Sequence, residues 1–85
     1  MDISRDEQRV LHALARGGAI APIKDNKGRI MAVELFTREG WRAPDLPLLL
    51  FRKLKAKRAI ASQDGRPYRI TRRGLDLVRS EVDNR

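Results

Sequence analysis

Apolar positions change period repeatedly along this chain, and each change marks a new element. Ile3, Glu7, Val10, Leu11 and Leu14 recur at helical spacing. The stretch "SRDE" at their start is a capping box: the Ser4 hydroxyl accepts from the Glu7 backbone N–H, and the Glu7 side chain reaches back. Gly17 and Gly18 stop the helix. Residues 20–24 and 29–36 are extended, apolar and partly alternating, with "DNKG" between them, which predicts a hairpin. Pro22 lacks a backbone donor, so its strand belongs at an edge.

A connector, "TREGWRAPD", leads to a second helical pattern in which Leu46, Leu50, Phe51 and Leu54 share one face. Asp45 is the expected cap, the helix runs from about residue 46 to 58, and Pro47 is tolerated in its first turn. "AIAS" and "PYRI" flank the turn "QDGR" as a second hairpin. Thr71 caps a last helix with Leu75, Val78 and Val82 inward and Leu77 outward. Gly74 weakens its first turn by about 1 kcal/mol relative to alanine. Arg72–Asp76 and Arg79–Asp83 have the spacing of supporting ion pairs.

The expected fold is α+β: a single domain over residues 1–85, small and winged-helix-like, with three helices and two β-hairpins. The helix–hairpin–helix of its second half is similar to the back half of a winged helix, where the helix before the wing enters the DNA major groove. Upstream the order departs from that plan. A long hairpin and a proline-containing connector stand where the plan has a second helix.

Charge sharpens the picture. The chain carries 14 arginines and five lysines against 11 acidic residues, a net charge of +8. Arginine forks pair bidentately with phosphates and carboxylates, so the excess points to a polyanion or an acidic protein surface. No cysteine is present, which removes disulfides and thiolate metal sites. No stretch approaches the apolar length of a membrane span, and "MDISRDEQRV" is too polar for a signal peptide, so a cytoplasmic protein with no membrane partner is expected.

Catalytic chemistry is hard to assemble from these residues. His12 is the only histidine and falls on the outward stripe of the first helix, while the acids are scattered singly. No metal-ligand or phosphate-loop spacing occurs. The expectation is therefore no enzyme, no cofactor and no metal.

The candidate binding residues are cations. Arg5, Arg9, His12 and Arg16 form one narrow stripe on the first helix. In "LLLFRKLKAKRAI" the residues Arg52, Lys53, Lys55, Lys57 and Arg58 crowd one helix without an acid among them, and Arg66 joins them from the wing tip. Each set is either a solvated face or a docking surface for phosphates or acids. The second helix has no Asn, Gln, Ser or Thr to read a base edge, so sequence-specific reading would rest on arginine and lysine alone. Trp41, the sole tryptophan, either plugs the core or marks a partner site. Leu77, with Leu48 and Leu49, either widens the core or seeds a homodimer.

Several of these stretches together mark a resemblance. "SRDEQRVLHALARGGAI", "DNKGR", "TREGW", "LFRKLKAKRAIAS", "GRPYRIT" and the terminal "DNR" resemble the small bacterial YjhX-type proteins, over essentially the whole chain. The resemblance implies a non-enzymatic toxin of a toxin–antitoxin pair, with an acetyltransferase-like antitoxin as partner. It further implies binding and inhibition of DNA topoisomerase I. A winged-helix transcriptional regulator that contacts the duplex DNA backbone is the alternative reading.

Overall fold

The computed structural model describes residues 3–43 and 46–83, with side chains as far as residue 79. Along them run α1 (Arg5–Ala15), β1 (Ala19–Lys24), β2 (Ile30–Phe36), α2 (Leu48–Ala56), β3 (Ile60–Ala61), β4 (Arg69–Ile70) and α3 (Arg72–Asp83). The architecture is the expected α+β one, with three helices and two antiparallel two-stranded sheets among the described residues.

The capping box forms as the sequence requires. Ser4 Oγ accepts from Glu7 N at 3.1 Å, and Glu7 Oε1 accepts from Ser4 N at 2.7 Å. From there α1 turns Val10, Leu11 and Leu14 onto the core. The chain leaves α1 through Gly17, whose φ of +106° is a glycine conformation.

β1 and β2 pair from Ala19↔Phe36 to Lys24↔Ile30. Ile20 exchanges both backbone hydrogen bonds with Tyr68, at 2.9 and 2.7 Å. Alternate residues of a strand direct their backbone groups to the same side. Pro22 therefore faces away from β2, and its missing N–H removes no ladder bond. The bridge through Tyr68 also ties the second hairpin to the first, a contact that the linear pattern does not reveal. The same alternation turns Ile20, Val33 and Leu35 inward, where all three are buried.

α2 begins at Leu48 rather than Leu46. A residue before proline is pushed toward extended backbone, and Pro47, with ψ of 138°, takes the N-cap position without a side-chain cap bond. The expected cap, Asp45, lies outside the described residues. At the other end Lys57 is the C-cap and Arg58 adopts φ of +60°. Arg58 N donates to Lys55 O, and Ala59 N donates to Leu54 O, both at 3.0 Å. This is a Schellman ending with arginine where glycine is usual.

The second hairpin turns through Asp64 and Gly65, both with positive φ, and Arg66 N donates to Gln63 O at 3.0 Å. Those features define the type I′ turn that suits Asp-Gly. Thr71 caps α3, accepting from Gly74 N at 3.1 Å through its hydroxyl. Two expectations for α3 need correction. Leu77 is buried beside Val78 rather than outward, so the inward stripe is wider than the predicted one; Leu75 is half-buried, and the Val82 side chain is outside the described set. Arg72 and Asp76 are both exposed and form no ion pair, while the Asp83 side chain is not described.

The core gathers Val10, Leu11 and Leu14 of α1, the inner face of the first hairpin, Phe51 and Leu54 of α2, then Ala59, Ile60, Leu77 and Val78. Tyr68 packs against it edge-on to Phe51, ring centroids 5.0 Å apart. This arrangement settles where the cations can stand.

Candidate interaction surface

With Phe51 and Leu54 fully buried, the remaining faces of α2 meet water. Arg52, Lys53 and Lys55 are all exposed, and none of them has an acidic partner among the described residues. Lys55 is steered by an aromatic face, its Nζ lying 5.7 Å from the Tyr68 ring centroid. Arg58 is exposed at the left-handed position that ends the helix, and Arg66 stands exposed in the type I′ turn. Part of this charge also serves the fold, because Lys53 and Lys55 in the last turn complement the negative end of the helix dipole.

Lys57 departs from the set. Its ammonium donates to both Glu7 oxygens, at 2.8 and 3.0 Å, and joins α2 to the start of α1. Glu7 is only 2 % exposed. Burial pushes its carboxyl pKa up, but hydrogen bonds from Lys57 and from the backbone and hydroxyl of Ser4 outweigh that, and the net direction is down. Helical spacing marks both residues but not their meeting, which spans 50 positions. The α2 C-terminus has a further anchor in Arg73, whose Nε donates to Lys57 O at 2.7 Å.

On α1, Arg5, Arg9 and Arg16 are exposed and His12 is half-buried, along the face turned away from the core. Arg9 approaches Asp6 at 3.9 Å with both side chains largely in water, a geometry worth little. The binding candidates thus form two groups, one on α1 and one on α2 with the second hairpin, each facing outward from its own element.

Trp41 does not plug the core. It is 74 % exposed. The connector folds into a tight turn in which Thr37 N donates to Trp41 O at 2.8 Å, Gly40 N to Thr37 O at 2.9 Å, and Trp41 N to Thr37 Oγ1 at 3.2 Å. Phe36 and Arg42 pair across it. The sequence "TREG" carries the turn, but nothing in it says which way the tryptophan projects.

No group of three or more His, Cys, Asp or Glu that could hold a metal occurs among the described residues. No described helix is long and apolar enough to cross a membrane.

The sequence profile of the YjhX toxin family, described as "Putative toxin of bacterial toxin-antitoxin pair", matches residues 1–85. The chain belongs to the YjhX toxin family. Among its relatives are UPF0386 proteins from Chelativorans sp., 64 % identical, and Agrobacterium fabrum, 61 % identical, each aligned over all of both chains. A third, from Sinorhizobium fredii, is 62 % identical over the same extent. No solved structure matches the chain. Membership in a toxin–antitoxin family implies an antitoxin partner.

Proposed function

We propose that this protein is a non-enzymatic toxin that binds DNA topoisomerase I and inhibits it through the cationic face of α2. The observation that carries the reading is the exposed group Arg52, Lys53, Lys55 and Arg58, without acidic partners among the described residues. Such a face meets acidic side chains or phosphate equally well, and it lacks the amide and hydroxyl side chains that name a base. An inhibitor that acts by covering a surface needs that charge and no chemistry of its own. Under this reading the antitoxin, an acetyltransferase-like protein, acts by masking the same face.

The test is relaxation of supercoiled plasmid by topoisomerase I with purified protein in excess, alongside growth after induced expression. Slowed relaxation and growth arrest are the expected results. Unchanged relaxation together with normal growth contradicts the proposal.

A second reading, a winged-helix regulator, has one observation in its favour: Arg66 sits in a rigid type I′ turn following α2, in the order that a wing requires. It predicts salt-sensitive duplex binding in which each phosphate contact removed lowers the salt slope by about 1. A slope unchanged by replacing Arg66 and the α2 cations counts against it.

A further inference from the structure

One apolar surface stays open beside the core. Between α1, the inner side of β2 and the start of α2 lies a hollow of about 390 Å³. Val10, Ala13, Leu35, Ala43 and Leu50 line it, and the exposed Arg9 stands at its rim. Ala13 and Ala43 keep it open, because neither side chain extends past Cβ and α1 and the connector therefore do not close over Leu35. Arg9 and Ala13 also belong to the shallow strip of α1 that Arg5, His12 and Arg16 line. The hollow and the cationic stripe are thus contiguous, joined by two shared residues.

Trp41 extends the hollow at its connector side. Phe36 pairs with Arg42, so Leu35 is opposite Ala43 and Thr37 is opposite Trp41. Paired residues share a face and the faces alternate. Trp41 therefore projects from the side that holds Leu35 and Ala43, roughly 7 Å along the strand from Ala43. Hydrogen bonds with Thr37 fix its backbone while 74 % of the residue stays in water.

We propose that this surface docks an acidic amphipathic helix of a partner protein, its apolar side chains in the hollow and against Trp41, its carboxylates on Arg5, Arg9 and Arg16. An apolar centre edged by tryptophan and arginine is the composition of a protein interface, and a groove beside a helix suits a helix laid along it. The α1 cations run roughly 16 Å from Arg5 to Arg16, about three turns of such a partner. Charge decides the rest. Among the described residues the stripe meets one acid, Asp6, at 3.9 Å from Arg9 with both side chains largely in water. A second copy of the chain is disfavoured, because a two-fold contact sets the same patch against itself and would face these cations with their own kind on molecules of net charge +8. Nucleic acid would engage the cations through its phosphates and leave the hollow unfilled. The site is separate from the outward face of α2 and does not depend on topoisomerase inhibition.

Because Trp41 is the only tryptophan, its fluorescence reports on the site in the full chain. The probe is a synthetic helical peptide with leucines at i, i+4, i+7 and i+11 and glutamates between them, the spacing of a groove-binding helix. Its addition should shift Trp41 emission to the blue, and the amide NMR shifts should change most at Val10, Ala13 and Ala43. A scrambled peptide of the same composition, and one with lysine for glutamate, should each bind roughly tenfold more weakly or worse, as should the Arg9→Glu and Trp41→Ala proteins followed with labelled peptide. Replacing Arg52, Lys53 and Lys55 by glutamine should leave affinity nearly unchanged at physiological salt, where charges beyond about 8 Å are screened. Circular dichroism of each variant establishes that the fold is retained. No binding of the acidic peptide, equal binding of the scrambled or lysine peptide, amide changes confined to α2, or self-association through the hollow in sedimentation overturns the proposal.

Discussion

Two single residues carry more of this fold than their chemistry suggests. Gly74 follows the cap of α3 at a point where a helix usually disfavours glycine. A Cβ there would collide with the Ala59 carbonyl and come within 2.7 Å of Ile70 Cγ1. Its apparent weakness is the condition for α3 to lie against the end of α2. Gly74→Ala, favourable by propensity alone, should therefore destabilise by about 2–3 kcal/mol, the upper part of the range for overpacking, measured by thermal melting. An unchanged melting temperature would mean that the helices separate without cost. Glu7 is the second case. Its folded pKa is depressed, so its contribution to stability is complete above the ordinary carboxylate range and is lost as pH falls through the folded value. Denaturant midpoints measured from neutral to acidic pH should fall across that window. In Lys57→Met the midpoint at neutral pH should drop by the equivalent of about 1–3 kcal/mol, because a buried carboxylate loses its cation. The loss on acidification should then be smaller.

At the scale of elements, the ends are where local chemistry and tertiary context diverge. Ser4–Glu7, Asp64–Gly65 and Thr71 are local signals that produce the expected cap, turn and cap, because each needs only neighbours within a few positions. The start of α2 is displaced since Pro47 governs the residue before it as well as its own φ. The finish of α2 is set by Arg58 in a left-handed conformation that costs a non-glycine residue about 1 kcal/mol or more. Arg58→Gly should accordingly leave the melting temperature unchanged or raise it by a few degrees, whereas a clear fall would show that the arginine side chain contributes to the fold. A stripe through Leu75, Val78 and Val82 places Leu77 outward, yet α3 packs on α1 with a broader face that buries it. Which side of a helix is wet depends on the neighbour it meets.

For the whole molecule, the element order and most of the core were readable because they follow from period and capping. Contacts between distant segments were not. Tyr68 with Ile20, Lys57 with Glu7, and Arg38 and Arg69 with Gly17 join positions that no spacing rule relates. These joins reorganise the cations that composition counts together. Lys57 becomes a strut, and Arg52, Lys53 and Lys55 remain as the outward face of α2. The toxin reading rests on that last group. These three are exposed on a helix that Phe51 and Leu54 already anchor. Neutralising them removes from the fold only the helix-dipole contribution of Lys53 and Lys55 and the Lys55 contact with Tyr68, so a loss of inhibition by the folded variant reports on docking. The decisive measurement is a titration of topoisomerase I plasmid relaxation with native protein and with the combined Arg52→Gln, Lys53→Gln and Lys55→Gln variant, at equal concentration and after matching their thermal melts. Docking through α2 predicts that native protein inhibits and that the folded variant needs at least tenfold more, about 1.4 kcal/mol of lost binding. Equal inhibition by the two proteins would contradict it.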